Sequence, residues 1–457
     1  MDFENRLTEG NVVRQLIKFS LPLLLSNIVQ ALYAVADLLI VGWYSGTYAM
    51  SAVTIGGQIT MVITNFVIGL AIGGTVLIAQ YIGANKPKDV DTTIGTLFSI
   101  MGILGVSFAV IMTFFTNPIL NLLNTPQESY AMARSYIIIC MWGLIFVFGY
   151  NSISAILRGM GDSKRPLVFV AIASVINVIL DIIFVGPLDM GPTGAAIATI
   201  IAQAVSLILS VIYLQRSRFI FNFHHTSFRI HRDKLRLLLK VGIPASAQNI
   251  VVGISFLVLT AVINDLGGVV ASAAVGIVGK FNAFAILPAA AMSASVSAMA
   301  GQNIGAGLYD RASKTLWSAI SIAFGISLII FAFVQIFPEA ILLAFKAEES
   351  VINIGVSYLK SFSYDYLVVP FAFCFNGLLN GAGYSMISMI SGVISSLVFR
   401  IPLVILFGKY FSSDIGNIGY AAPIATLFAV FLGLYFYFSG KWKQDKLNIQ
   451  NIDVLDI

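Results

Sequence analysis

Long apolar runs separated by short polar segments extend along nearly the whole chain. Twelve such runs occur, near 16–41, 52–79, 93–116, 133–157, 167–187 and 194–215 in the first half, and near 238–264, 271–299, 314–337, 352–378, 386–408 and 418–438 in the second. A helix of about 20 apolar residues crosses the hydrocarbon core of a bilayer. Residues 100–115 are apolar without alternation, which favours helices over barrel strands. The pattern predicts an all-α membrane protein with twelve transmembrane helices.

Composition and charge agree with this interpretation. The chain is 58% hydrophobic and 10% charged over 457 residues, whereas water-soluble domains carry about 25% charged residues. Most of the 26 Lys and Arg residues fall in alternate loops, on the side that carries both termini. The opposite loops hold Arg134, Lys346, Lys360 and Lys409. The positive-inside rule therefore predicts a multi-pass protein of the cell membrane with both termini in the cytoplasm.

The two halves of the chain repeat each other. A shift of 222 residues places Pro22 on Pro244, Asn27 on Asn249, and the segment 80–84 on 302–306 without a gap. Because each half holds an even number of spans, both halves start on the same side and have parallel topology. We expect an N-lobe at 1–215 with helices 1–6, a basic cytoplasmic linker at 216–236, a C-lobe at 237–440 with helices 7–12, and a cytoplasmic tail at 441–457.

The linker contains all three histidines of the chain, His224, His225 and His231. A metal or lipid-headgroup site would use such residues. A solvated tether between the lobes is the simpler interpretation of a short basic segment, and it is the one we adopt.

Polar side chains inside the first-half spans are the main candidates for chemistry. A central Asp costs roughly 2.5–3.5 kcal/mol in a membrane helix, so an intramembrane carboxylate is by default a functional hypothesis. Two such residues occur, Asp37 in span one and Asp181 in span five. Asn177 precedes Asp181 by four residues and shares its helical face. The other polar candidates for the same cavity are Asn27, Gln30, Tyr136, Asn151 and Thr199.

Two neighbouring carboxylates in a low-dielectric cavity can change protonation near neutral pH, and the same oxygens can ligate sodium. The alternative is structural: Asp37 caps the outer end of its helix and Asn177 joins two helices. That alternative leaves Asp181 without a reason to be charged.

The second half carries different charges near mid-membrane, namely Lys280, Asp365 and Arg400. A structural ion pair of Asp365 with Lys280 or Arg400 is one interpretation, because unpaired charges at that depth are costly. A role in gating or substrate binding is the other. Pro22 lies early in span one, where it removes a backbone hydrogen bond and permits a bend.

Several motifs together resemble the multidrug and toxic compound extrusion (MATE) family of secondary transporters. They are Pro22 and Asp37 in span one, the repeated segments Gln80-Tyr-Ile-Gly-Ala and Gln302-Asn-Ile-Gly-Ala, Arg158-Gly-Met-Gly-Asp162, and the pair Asn177 and Asp181. The resemblance covers nearly the whole chain. It implies two six-helix lobes in a V shape, and export of organic cations driven by inward flow of protons or sodium.

The resemblance also implies site residues. In the N-lobe, a proton or Na⁺ site would consist of Asp37, Asn177, Asp181 and Thr199, with Tyr136 and Asn151 alongside. Another branch of the family carries an acidic residue about two turns after the span-seven proline, where Val252 stands here. This departure favours the N-lobe as the place of cation coupling.

We therefore expect an antiporter that exports small organic, often cationic, compounds in exchange for H⁺ or Na⁺, without a cofactor, in contact with membrane lipid, as a monomer and without a nucleic-acid partner. The nearest alternative is a flippase for lipid-linked oligosaccharide or peptidoglycan precursors, which resembles the same superfamily. An intramembrane enzyme would require a motif such as His-Glu-x-x-His, and none occurs.

Overall fold

The computed structural model describes residues 7–217, 219–345, 348–410 and 415–449, and these contain helices and no strand. The predicted all-α fold is confirmed. Ten helices in these ranges are long and apolar enough to cross a membrane, or eleven if a bent pair counts as one span. The predicted tail at 441–457 extends beyond the described residues after 449.

The twelfth span comes from the first and longest helical segment, Val12–Gly83. Its 72 residues would reach about 108 Å as one straight helix, more than three times the hydrocarbon thickness. Gly46 interrupts it with φ 77° and ψ −169°, a conformation that glycine adopts without a Cβ penalty. The segment therefore consists of two spans, α1 (12–45) and α2 (47–83).

The remaining spans follow with short connections. In the first half they are α3 (Pro87–Leu122), α4 (Gln127–Gly159), α5 (Lys164–Val185) and α6 (Gly191–Arg216). In the second half they are α7 (Arg232–Gly268), α8 (Val270–Gly305), α9 (Tyr309–Ile336), α10 (Glu349–Phe362 and Asp365–Gly381, bent by 45°), α11 (Ser385–Tyr410) and α12 (Ile415–Phe438). A short helix, Pro338–Ala344, lies between α9 and α10.

The duplication is visible in the backbone as well as in the sequence. Three pairs of residues with positive φ are each separated by 222 positions: Gly46 and Gly268, Asn85 and Gly307, and Gly161 and Gly383. Each pair stands at the break or turn after equivalent helices. Since left-handed backbone is uncommon outside such turns, the coincidence shows that both halves fold along the same path.

The chain forms two compact units, one of residues 25–242 and the other of residues 7–24 with those from 243 onward. The chain enters the first unit close to Pro22 and leaves it close to Pro244. The helical dihedrals of α1 continue through Pro22, and Gly46 is the residue in Val12–Gly83 that departs from them. The lobe limits stated from the sequence, and bending at Pro22, stay predictions.

The linker differs from the solvated tether that we expected. Phe221 is 2% exposed, and its ring contacts those of Phe98 and Phe228 at centroid distances of 5.9 and 5.4 Å. The Thr96 hydroxyl donates to the Arg229 carbonyl at 3.3 Å and accepts from the His231 backbone N–H at 3.1 Å. The tether interpretation is wrong because Phe219 and Phe221 of this basic segment are buried and its backbone at Arg229 and His231 is bonded to Thr96 of α3.

A buried lysine fixes the start of α7 to the first unit. Lys234 is 4% exposed, and its ammonium group donates to the Tyr81 hydroxyl at 2.9 Å and to the Asp89 carboxylate at 2.5 Å. The ammonium group also lies over the Tyr81 ring. A buried charge of this kind is tolerated because its donors are satisfied by hydrogen bonds and an opposite charge.

Lys234→Met is expected to lower the free energy of unfolding by about 1–3 kcal/mol, because Asp89 and the Tyr81 hydroxyl lose their shared partner. Thermal unfolding of the purified protein measures this effect. Arg236→Gln, an exposed position on the same helix, serves as the matched control and should leave the transition unchanged. If the wild type, Lys234→Met and Arg236→Gln unfold at the same temperature, the contacts of Lys234 with Tyr81 and Asp89 add no stability.

Candidate functional site

Two carboxyl groups of the first unit meet in its interior. Asp37 of α1 is 8% exposed and Asp181 of α5 is fully buried. Their carboxyl groups face each other closely enough to interact directly. Two carboxylates are both acceptors, so this contact becomes a hydrogen bond only when one of them carries a proton. Without a proton or another cation, two like charges would stand in contact inside the protein.

Asn177 and Thr199 extend this carboxyl pair toward α6. Asn177 lies one turn before Asp181 and is buried, and its side-chain amide donates to the Thr199 hydroxyl at 3.4 Å. Four oxygens here have no hydrogen-bond donor among the described residues: Asp37 Oδ1, Asn177 Oδ1 and both carboxylate oxygens of Asp181. Buried acceptors without donors are costly, which is the condition that a bound cation relieves.

Tyr136 of α4 lies beside the carboxyl pair and interacts electrostatically with both Asp37 and Asp181. Its ring packs directly on Gly56 of α2, where any side chain would collide with ring atoms. The adjacent Gly57 has open space at the same position. A small residue at 56 is therefore required for Tyr136 to reach the carboxyl pair.

Gly56→Ala is expected to reduce transport severalfold while the protein remains folded, because the new methyl group displaces the Tyr136 ring from the carboxyl pair. Gly57→Ala is the matched control, since the same change there meets no neighbouring atom. Efflux rates normalised to protein amount compare the two variants. Equal rates in both would mean that the position of Tyr136 is unimportant.

Three further residues belong to this environment and were not among the sequence candidates. The Tyr33 and Gln203 side chains are hydrogen-bonded to each other, and Tyr33 interacts electrostatically with Asp37. Cys140 is hydrogen-bonded to Tyr136 and interacts with Asp37. Tyr33 lies four residues before Asp37 and Gln203 four residues after Thr199, so the helical period was the signal that could have identified both.

The other N-lobe candidates stand apart from the carboxyl pair. Gln30 is exposed and Asn27 is half-buried. The Asn151 side chain donates to the Val147 carbonyl of its own helix at 2.8 Å. Among the described residues, no hydrogen bond joins any of the three to Asp37 or Asp181, so a role in a substrate cavity remains a prediction for them.

Among the described residues, Lys280 does not form the ion pair with Asp365 that the sequence offered as one interpretation. The Lys280 side chain is instead exposed. Asp365 and Arg400 are 5% and 6% exposed and interact through their charges, without an ion pair inside 4 Å in the described ranges. Of the two predicted partners, only Arg400 faces Asp365.

Local irregularities place these two buried charges. Arg400 ends a π-helical stretch, Ile394–Arg400, and Asp365 begins the second part of the bent α10. The Arg400 guanidinium donates to the Ser255 hydroxyl at 3.2 Å and lies over the Phe256 ring. Asp365 lies beside Thr426, whose hydroxyl donates to the Ala422 carbonyl at 3.0 Å. π-Helical turns frequently occur at functional positions, because they redirect side chains that a regular helix would place elsewhere.

The donor set around Asp37 suits a small hard cation. Two carboxylates, an amide oxygen and a hydroxyl are the oxygen ligands that alkali and alkaline-earth ions prefer. The same carboxyl pair can instead hold one shared proton. The arrangement can therefore bind and release a cation, whereas the described residues hold no group of three His, Cys, Asp or Glu that would suit a transition metal.

Comparison with known proteins identifies the family. The MatE family model matches residues 22–183 and again 244–406, two matches that begin 222 positions apart. The probable multidrug resistance protein YpnP of Bacillus subtilis (strain 168) is 30% identical over 96% of this chain and 98% of its own length. The probable multidrug resistance protein NorM of Thermotoga maritima is 27% identical over 97% and 96%.

A solved structure with a similar fold is the outward-facing conformation of a multidrug resistance MATE family transporter of the MOP superfamily. It has a TM-score of 0.91, 23% identity, and coverage of 96% of this chain and 98% of that one. The fold is thus that of the MATE transporters. The chain is a multi-pass membrane protein that belongs to the MatE family.

Proposed function

We propose that this protein exports small organic compounds, often cations, by exchanging them for H⁺ or Na⁺ at the Asp37 and Asp181 pair. The observation that carries the proposal is the contact between two buried carboxyl groups surrounded by oxygens that lack donors. The names of the relatives, probable multidrug resistance proteins, support an organic substrate. Antiport of this kind needs no cofactor, and we propose none.

The carboxyl pair would couple the two fluxes through its charge. When one H⁺ or Na⁺ is bound, the pair carries a net charge of −1 and holds an organic cation more weakly. When the ion leaves, the pair carries a charge of −2 and attracts the organic cation more strongly. Exchange requires that this competition differ between the outward-open and inward-open states, because a ligand of equal affinity for both states shifts nothing.

Proteoliposomes with imposed gradients test the proposal. Ethidium is loaded inside, and its efflux is followed by fluorescence under an inward pH gradient alone or an inward Na⁺ gradient alone. We expect one gradient to accelerate efflux and an ionophore that dissipates it to abolish the acceleration. Efflux that responds to neither gradient would reject antiport.

The flippase alternative receives little support from the site. Its cargo carries an anionic pyrophosphate, which two contacting carboxyl groups would repel. Of the two second-half cations that favoured it, Lys280 is exposed and Arg400 faces Asp365. The positive charge of Arg400 is thus balanced by Asp365 within the same unit.

We also propose that the protein works as a monomer in the cell membrane with both termini in the cytoplasm. The excess of Lys and Arg in alternate loops supports this orientation. Protease accessibility of tags at either terminus, in right-side-out vesicles and in inverted ones, distinguishes the two orientations.

A further inference from the structure

A basic groove of about 780 Å³ lies in the second unit, and its lining includes no residue of either buried charge pair. It is formed by the starts of α1 and α9 and by the segment after α12. The residues that line it and are used below are Asn11, Val12, Asp310, Arg311, Lys314, Ser318 and Lys443. Three cations and one carboxylate give the groove a net positive charge.

The lysines of the groove are available to a ligand. Lys314 and Lys443 are exposed, and neither has a hydrogen-bond or ion-pair partner among the described residues. Arg311 is already engaged: its guanidinium donates to the Glu9 and Gly10 carbonyls and to the Gln15 side chain. Arg311 therefore shapes the groove by holding the start of α1 in place, and the two lysines supply the free charge.

Two helix N-termini open on the same groove, at Val12 of α1 and Tyr309 of α9. The first N–H groups of a helix have no intrahelical acceptor and favour anions. Gly307, with φ 73°, makes the turn that brings the start of α9 there. Backbone donors and lysine side chains thus converge on one space.

In the first half of the chain, the position equivalent to this groove is covered by the linker. Ser318 and Lys314 correspond to Thr96 and Thr92 under the shift of 222. The Thr96 hydroxyl bonds to the backbone of Arg229 and His231 in the linker. The equivalent Ser318 hydroxyl makes no hydrogen bond among the described residues and lines the groove. The described part of the second unit therefore leaves open a surface that the first unit covers with its linker.

Aromatic rings indicate where the groove lies relative to a bilayer. Trp317 and Tyr437 contact each other at 5.7 Å, Tyr437 stacks on Trp442 at 5.7 Å, and Trp442 contacts Tyr309 at 6.3 Å. Trp and Tyr concentrate at the membrane–water interface, where lipid headgroups are found. Lys and Arg immediately beyond such an interface attract anionic lipids.

We propose that this groove binds the phosphate headgroup of an anionic phospholipid through Lys314, Lys443 and the N-terminal backbone N–H groups of α9. Trp317, the exposed member of the aromatic cluster, then contacts the glycerol and upper acyl region. The site is separate from ion coupling, so its test does not depend on the transport proposal.

Native mass spectrometry tests the proposal. The purified protein is exchanged into phosphatidylcholine micelles and titrated with phosphatidylglycerol, and the bound lipid is counted. Each lysine near an anionic headgroup changes binding by about fivefold, so Lys314→Gln with Lys443→Gln is expected to weaken one phosphatidylglycerol site about 25-fold. The double variant Lys360→Gln with Lys409→Gln, which neutralises exposed lysines elsewhere in the same unit, should bind as the wild type does.

Three results would overturn the lipid assignment. One is equal phosphatidylglycerol binding in the groove and control variants. Another is displacement of the lipid by millimolar inorganic phosphate with equal binding of phosphate alone, which would assign the groove to a free anion. The third is binding that appears only after deletion of residues 2–6 or 450–457, which lie outside the described residues and would then be the occupants.

Discussion

Asp37→Asn and Asp181→Asn are each expected to reduce gradient-driven efflux of ethidium to the level of empty liposomes. An amide has nearly the same shape as the carboxyl group but can neither take up a proton nor neutralise Na⁺. Because the two carboxyl groups contact each other inside the protein, either change removes the paired charge on which exchange depends. Loss of a residue that only orients a metal ligand weakens metal binding by roughly 10–100-fold, so loss of a ligand itself should cost at least as much.

Asp189→Asn provides a matched control for these variants. Asp189 lies in the connection after α5, is exposed, and has no part in the carboxyl pair, so its transport rate should equal that of the wild type. Protein amount and gel-filtration profile must be the same in all four samples. Gradient-driven efflux that persists in both Asp37→Asn and Asp181→Asn would remove the carboxyl pair from the mechanism.

Arg400→Met is expected to destabilise the second unit strongly, by about 3–5 kcal/mol, because Asp365 would remain buried without an opposite charge. Asp365→Asn added to Arg400→Met removes the isolated charge and is expected to restore much of the loss. The interaction between the two residues is thereby separated from the packing of each.

Thermal unfolding of the purified proteins in one detergent measures this cycle. The account predicts a midpoint for Arg400→Met well below the wild type, with the double variant between them. If the double variant unfolds at or below the midpoint of Arg400→Met, the charges are not coupled. A role for Arg400 beyond compensating Asp365 would then need to be sought at the π-helical turn.

Residues of the candidate ion site that share one helix could be predicted from the sequence. Residues whose burial depends on packing between helices could not be predicted as well. Asn177 and Asp181 share a face of α5 by their spacing alone, and both are buried. Gln30 and Asp37 also share a face, since seven residues are nearly two turns, yet Gln30 is exposed. Both residues lie in the unit of residues 25–242, so burial changes along one face of the helix within a single unit. Helical periodicity cannot show such a change.

The backbone conformation at the helix breaks and the packing of the linker were also beyond the apolar pattern. Gly46 and Gly268 lie in the gaps predicted between apolar runs, but hydropathy does not reveal their positive φ. The spacing of 222 between them is the signal that could have marked both. In the linker, the basic residues indicated a solvated segment. Phe219, Phe221 and Phe223 nevertheless alternate there, and their rings contact one another or Phe98.

Competition between substrate and coupling ion at the carboxyl pair is the most direct measure of the account. Ethidium binding to the purified protein is titrated by fluorescence anisotropy over a series of pH values and Na⁺ concentrations. The account predicts that raising H⁺ or Na⁺ weakens ethidium binding to the wild type, and that the variant carrying both Asp37→Asn and Asp181→Asn shows no such dependence. The same dependence in both proteins would contradict it.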